Sequence, residues 1–335
     1  MSHQKKETLY GYHLEHWYHF DHLLPELRQL AEGAHGSLLL LRDRKFFLLL
    51  LPALYWCMEA GIGVRVGIIL LLSASVNDAL KMTFHGPRPY WYSNDVIVYA
   101  SEPSFGVPSG HAQIAFGVWG MLATSIRKWW GWLIAILVIL LIGISRLYMG
   151  VHFPHDIILG WLIGALLLWL ALRFWKPVTE WLEKMSLGQQ ILVSFLGSLV
   201  LILFSLIPFL LLKITNWQVP QAWTEYAKAA VSLSVTFTSA GMLFGLLAGQ
   251  AWSNHHGGFD ASGQLWKRVS RYLLGLFGGM AFYLGLKVLF GLIVPNAETV
   301  LPHILRYVRY VLVGAWVSAG APWIFVKLKL AKKAT

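Results

Sequence analysis

The sequence predicts an all-α fold, a polytopic transmembrane helical bundle of about nine spans. Three observations predict it. Residues of the AVILMFWYC set make up 57% of the 335-residue chain and charged residues only 13%, against about 45–50% and about 25% in soluble domains. Apolar runs of the roughly 20 residues needed to cross a bilayer recur along the chain. Aromatic and basic residues flank those runs, as they do at membrane interfaces. The 17 Trp, 18 Phe and 13 Tyr also exclude a disordered chain.

In order, the expected spans are 46–63, 65–84, 109–126, 129–146, 154–174, 190–213, 229–249, 272–294 and 308–328. The first is short and carries Glu59. The third opens on Pro108-Ser109-Gly110, a helix-start signal with Ser109 as N-cap, and the fifth on Pro154, suited to a first helical turn. Arg127-Lys128, Trp129-Trp130, Trp132, Trp175, Trp252, Trp323 and Lys327 mark span ends. Gly160 with Gly164, and Gly275 with Gly279, fit close helix packing. Lys287, inside the eighth span, is expected to snorkel to the nearer surface. Residues 1–45 are expected to form an N-terminal interfacial segment, with Leu23, Leu27, Leu30, Ala31 and Ala34 on one helical face. Residues 46–175 form a membrane core holding the unusual polar residues, and residues 176–335 form C-terminal helices that complete the bundle.

The formal charge of +11 arises from 27 Lys and Arg against 16 Asp and Glu. Nine spans gather Arg65, Arg127, Lys128, Arg173, Lys176, Lys184 and the basic residues of 267–271 and 327–333 on one side. Leaving aside the long 85–108 loop and its flanks, the other side has Lys213, Lys228, Arg306 and Arg309 after the first span, so the first group is assigned to the cytoplasm. The basic N-terminal segment runs against that assignment. The expected partner is the lipid bilayer, not nucleic acid. The lone Cys57 excludes an intrachain disulfide, and no cleaved signal peptide is indicated.

Charge is so scarce that ionisable residues at span ends are functional candidates. Lys81 and Arg88-Pro89 follow span two, Pro108-Ser109-Gly110-His111 opens span three, Ser145-Arg146 closes span four, and His152 and Asp156 open span five. All four ends fall on one side of the membrane. One Lys and two Arg suit a phosphate dianion. Free N–H groups at the helix start by Ser109 and Gly110 suit an anion. His111 and His152 supply a nucleophile and an acid or base near neutral pH. Asp156, four residues after His152, would accept from its Nδ1–H and leave Nε2 free to attack phosphorus. No metal-ligand spacing accompanies them, so no metal or other cofactor is expected.

These residues resemble the signature of the type 2 phosphatidic acid phosphatase (PAP2) superfamily, which includes glucose-6-phosphatases and vanadium haloperoxidases. The three parts are Lys81 with six residues before Arg88-Pro89; Pro108-Ser109-Gly110-His111; and Ser145-Arg146 with five residues before His152 and three more before Asp156. The resemblance implies a PAP2-like catalytic core and a metal-independent phosphatase. In it His152 forms a phosphohistidine, Asp156 orients it, and His111 serves the leaving alcohol and then the water. Lys81, Arg88, Ser109, Gly110 and Arg146 bind phosphate. Nine spans, Arg88-Pro89-Tyr90-Trp91 and the run from Ser145 to His155 look similar to the glucose-6-phosphatase branch, whereas Asp156 fits the lipid-phosphatase pattern.

The expected function is hydrolysis of a membrane lipid phosphate at the exoplasmic or periplasmic face of a bacterial inner membrane. The alternatives are a sugar phosphatase, a phosphoryl transferase to a lipid acceptor and a non-catalytic lipid carrier. His85 and His155 flank the site and are read as a loop histidine and a helix-start histidine in preference to substrate contacts, Asp95 and Glu102 as loop residues that either gate entry or are merely solvated, and His255, His256 and Asp260 as a loop away from the site. Tyr90, Trp91 and Tyr92 are read as an aromatic belt or a substrate entrance.

Overall fold

A computed structural model describes residues 44–334 except 94, 228 and 295–299. The chain divides between Leu49 and Leu50, and every residue of the site described below lies in the unit Leu50–Thr335. But for its last two residues, the expected interfacial segment 1–45 lies outside the described residues.

The described residues contain helices and no strand: α1 (Arg44–Ala53), α2 (Ala60–Phe84), α3 (Pro89–Tyr92), α4 (Gly110–Ile126), α5 (Trp129–Tyr148), α6 (Pro154–Glu183), α7 (Leu187–Ile214), α8 (Thr224–Ala227), α9 (Ser234–His255), α10 (Leu265–Ile293), α11 (Leu301–Ala315) and α12 (Ala321–Lys327). Six stretches among them are long and apolar enough to cross a membrane: Ala60–Tyr92, Trp129–Tyr148, Pro154–Glu183, Leu187–Ile214, Leu265–Ile293 and Leu301–Lys327. The expected count of nine is not reproduced, and three local causes account for the difference. Pro52, a wide turn at Leu54–Met58 and extended backbone at Glu59 (φ −150°, ψ 121°) break the expected span 46–63. With 17 residues, α4 is about 25 Å long, short of the roughly 30 Å hydrocarbon core. The 22 residues of α9 are diluted by Ser, Thr and Gly, and many are buried in the protein.

Two helices are the hubs. α4 packs on α2, α5 and α6, while α9 packs on α7, α11 and α2, so α2 joins the two halves. Large apolar side chains such as Leu137 on α5, Leu162 on α6, Leu203 on α7 and Phe277 on α10 are exposed. Such a surface suits acyl chains rather than water. Lys287 lies on the exposed face of α10.

Small residues set the helix spacing. A Cβ added to Gly160 would lie 2.6 Å from the Ser109 carbonyl oxygen, and one on Gly164 2.5 Å from that of Gln113. α6 therefore presses on the first turns of α4. Gly241 meets the Tyr307 carbonyl in the same way across α9 and α11, at 2.5 Å. Gly275 faces Trp56 at 2.4 Å, whereas Gly279 makes only ordinary contact with Trp316. At the opposite end from Ser109, fully buried Arg271 donates to the carbonyls of Asp260 (2.9 Å), Ala261 (2.6 Å) and Ser262 (3.1 Å) and closes the loop before α10. His256 in that loop stacks on Trp252. Among the described residues no three His, Cys, Asp or Glu side chains form a cluster able to hold a metal ion.

Gly160→Ala is expected to lower stability by about 1–3 kcal/mol, the usual cost of overpacking a well-packed contact. Gly197, with nothing within 4 Å of an added Cβ, is the control: thermal unfolding in detergent should leave Gly197→Ala near wild type.

Candidate active site

The site is built from helix ends. The C-terminal turn of α2 supplies Lys81, the start of α4 supplies Ser109, Gly110 and His111, and the last turn of α5 supplies Arg146. His152 sits in the turn between α5 and α6, and Asp156 in the first turn of α6. The segment between α2 and α4 brings Arg88 and, less expectedly, Glu102.

Local chemistry sets each terminus. Ser109 caps α4, its hydroxyl accepting from the Ala112 amide at 3.4 Å, and its own amide donates to the Asp156 carbonyl at 2.9 Å. Pro154 opens α6, and the Asp156 carboxylate accepts from the Phe153 amide at 2.9 Å. A Cβ at Gly110 would lie 2.8 Å from Asn77 Oδ1, so only glycine lets α4 approach α2 this closely. Asn77 Nδ2 donates to the Pro108 carbonyl at 3.2 Å and to Gln113 Oε1 at 2.9 Å, and Gln113 Nε2 donates to the Ser73 carbonyl at 2.9 Å. These buried amides lock α2 to α4 immediately beneath the site.

All eight expected residues belong to one cluster. Arg88 is its centre and is fully buried. Its Nε donates to the Ser104 carbonyl at 2.7 Å and its Nη1 to the Val151 carbonyl at 2.8 Å. Its Nη2 reaches Glu102 Oε2 at 3.0 Å, Ser104 Oγ at 2.9 Å and the Phe105 carbonyl at 3.2 Å. Lys81 Nζ also donates to the Phe105 carbonyl. His152 Nε2 lies 3.2 Å from Arg88 Nη1, and His152 Nδ1 lies 3.2 Å from Asp156 Oδ2. A guanidinium can only donate, so Nε2 is the acceptor and Nδ1 carries the proton given to Asp156. Arg146 lies 3.2 Å from Ser145 Oγ through Nη2 and 3.7 Å from Glu102 Oε1 through Nη1. His111 Nδ1 is 3.5 Å from the same Glu102 oxygen, and its side chain is 26% exposed. His152 and Asp156 are sealed from solvent, whereas His111 is partly exposed.

Burial holds His152 well below its ordinary pKa of 6.5, and the charges of Arg88 and Lys81 push the same way. Burial opposes ionisation of Glu102, but the charges of His111 and Arg88 outweigh it and hold that carboxyl below the usual carboxylate range.

The sequence leaves Glu102 between a gating residue and a solvated loop residue, whereas the structure puts its carboxylate beside Arg88, His111 and Arg146. Asn77 and Gln113 were also passed over, although a carboxamide in an apolar helix, with Asn77 one turn before Lys81, was the available signal. Asp95 makes an exposed turn with Ser93. His85 packs its ring on Phe105 and Trp217, and His155 Nε2 approaches Asp156 Oδ1 at 3.2 Å. Tyr90 and Trp91 are buried against Phe105, Met149 and Trp223 and form a packed wall rather than an exposed belt.

Buried cations surround a histidine held by a carboxylate at one end of an apolar helical bundle, a set of side chains chemically suited to an anion. The chain belongs to the PAP2 superfamily. The model described as PAP2 superfamily matches residues 62–180, and that of the PAP2 superfamily phosphatase, transmembrane extension, matches residues 237–333. The first match contains every residue of the cluster. The transmembrane extension and the apolar helices make this a multi-pass membrane protein.

Similar proteins include an undecaprenyl-diphosphatase of Sulfolobus acidocaldarius, 32% identical over 114 residues that cover 33% of this chain and 54% of that protein. Another is the glucose-6-phosphatase catalytic subunit 1 of Haplochromis nubilus, 27% identical over 208 residues covering 51% of this chain and 57% of that one. The chain thus spans about half the length of these relatives. A solved transmembrane PAP2 type phosphatidylglycerolphosphate phosphatase from Bacillus subtilis is 27% identical, with a TM-score of 0.38 over 46% of this chain and 79% of that one.

His152 binds a proton less readily when folded than when unfolded, so the unfolded chain takes up more protons as pH falls below 6.5 and stability declines there. Unfolding in detergent between pH 7 and 5 should show that decline, and His152→Gln should flatten it.

Proposed function

We propose that the protein is a membrane phosphomonoesterase that hydrolyses a lipid phosphate through a phosphohistidine, without a metal, on the exoplasmic or periplasmic side. The observation that carries the reading is the state of His152: Nδ1–H is committed to Asp156, and Nε2, unprotonated, faces the guanidinium of Arg88. A phosphoryl oxygen that takes over the Arg88 donor frees the Nε2 lone pair and brings phosphorus beside it.

In the first step Nε2 of His152 forms a bond to phosphorus while the bond from phosphorus to the alcohol oxygen breaks, and His111 gives its proton to that oxygen. Asp156 stabilises the positive charge arising on the imidazole. In the second step His111 takes a proton from water, the water oxygen bonds to phosphorus, and the P–N bond returns its electron pair to Nε2. Lys81, Arg88 and Arg146, with Ser109 and the Gly110 amide, hold the equatorial oxygens, where charge accumulates. The partial exposure of His111 suits a group that must meet first the leaving alcohol and then water.

A lipid substrate is supported by the position of the cluster at one end of a bundle with an exposed apolar surface, by Asp156, and by the Sulfolobus acidocaldarius relative named as an undecaprenyl-diphosphatase. A second reading is a sugar phosphate, favoured by the longer match to a glucose-6-phosphatase, 51% of this chain against 33%. Phosphate release measured over phosphatidic acid, isoprenyl phosphate, sphingoid phosphate and glucose 6-phosphate separates the two, since preference for the soluble sugar would sink the lipid reading.

His152→Ala is expected to reduce turnover to background and to abolish an acid-labile phosphoenzyme trapped from labelled substrate. His111→Ala should lower kcat by about 10²–10⁴-fold, the usual worth of a general acid and base. Full activity in His152→Ala would overturn the mechanism.

A further inference from the structure

The cations assigned to phosphate already hold an anion. Glu102 Oε2 is 3.0 Å from Arg88 Nη2, and its Oε1 is 3.5 Å from His111 Nδ1 and 3.7 Å from Arg146 Nη1. The neighbouring backbone takes further donors: Arg88 is bound to the carbonyls of Ser104 and Phe105, and Lys81 to that of Phe105. Residues 102–105 therefore occupy the cradle as a single ligand. Two features suit that segment to exchange. Phe105 is an anchor, buried against Trp91 and Trp217. Apart from the cations, the Glu102 backbone is held by Tyr90, whose hydroxyl accepts from the Glu102 amide at 3.2 Å and donates to its carbonyl at 3.3 Å, and by the Ser104 amide on that same carbonyl at 2.9 Å. Ser101 and Pro103 on either side are exposed, so a displaced carboxylate has water to enter.

We propose that Glu102 is a specificity-determining residue: its carboxylate stands where the phosphoryl group binds, and a ligand enters only by displacing it. The inference rests on the assignment of Arg88, Arg146 and His111 to phosphate. A dianionic phosphomonoester brings one more negative charge to the cations than Glu102 does and displaces it. A phosphodiester brings a single charge, gains nothing over the carboxylate, and is excluded.

Three proteins test this: the native chain, Glu102→Gln and Glu102→Asp. The probes are inorganic phosphate, measured by calorimetry, and a short-chain phosphatidic acid with the matching phosphodiester, measured kinetically. Loss of one charge-assisted competitor should tighten phosphate binding and lower KM in Glu102→Gln by about tenfold, equivalent to about 1.4 kcal/mol. The preference for monoester over diester should narrow with it. Glu102→Asp keeps the charge but withdraws it by one methylene, and should follow Glu102→Gln. Higher KM with lower kcat in Glu102→Gln would show that Glu102 merely holds His111 and Arg88 in position, and would overturn the proposal. So would wild-type phosphate affinity in Glu102→Asp, or phosphate binding to none of the three. Absence of turnover by the native chain would defeat the phosphatase reading alone, because the calorimetric comparison needs no reaction.

Discussion

Burial of the Arg88 guanidinium is the constraint on which the rest of the site depends. A charge withdrawn from water costs several kcal/mol even after the protein relaxes around it, and the cost is tolerated only if its donors find partners. Arg88 is fully buried, and its partners come from the loop at Glu102, Ser104 and Phe105 and from Val151 and His152 before α6. Satisfying one side chain therefore joins the segment after α2 to the turn after α5. The same contact makes the lone pair of His152 Nε2 an acceptor, so the partner that neutralises the desolvation cost also sets the tautomer of His152.

That arrangement needs helices that approach closely and do not slide. Gly160 and Gly164 let α6 press on α4, and Gly110 lets α4 press on α2. Between α2 and α4 the Asn77 and Gln113 amides satisfy each other and nearby carbonyls. In an apolar bundle an unpaired amide is expensive, so this pairing fixes register in a way that Leu-on-Leu packing does not. The C-terminal half also contributes. Trp217 and Trp223, in the connection between α7 and α9, pack on Phe105 and Trp91 and roof the loop that carries Glu102.

Much of the site was legible in the sequence because the chain is so apolar. Lys81, Arg88, His111, Arg146, His152 and Asp156 stood out against a background in which 13% of residues are charged, and all of them enter one cluster. Most of the bundle was legible for the same reason, since hydropathy reports burial in lipid. Hydropathy failed where backbone geometry decided the outcome, at the wide turn Leu54–Met58, and where burial in protein replaced burial in lipid, along α9.

By itself the sequence determined most members of the cluster and their distribution over four helix ends at one end of the bundle, because helix periodicity and length are local properties. Only the tertiary structure decided what occupies the site. Glu102 is one acidic residue among several in loops, and its spacing from Arg88 carries no signal. It becomes a ligand of Arg88, Arg146 and His111 only when α5 and α6 close against α4, because the attraction between ions depends on distance through space and not along the chain.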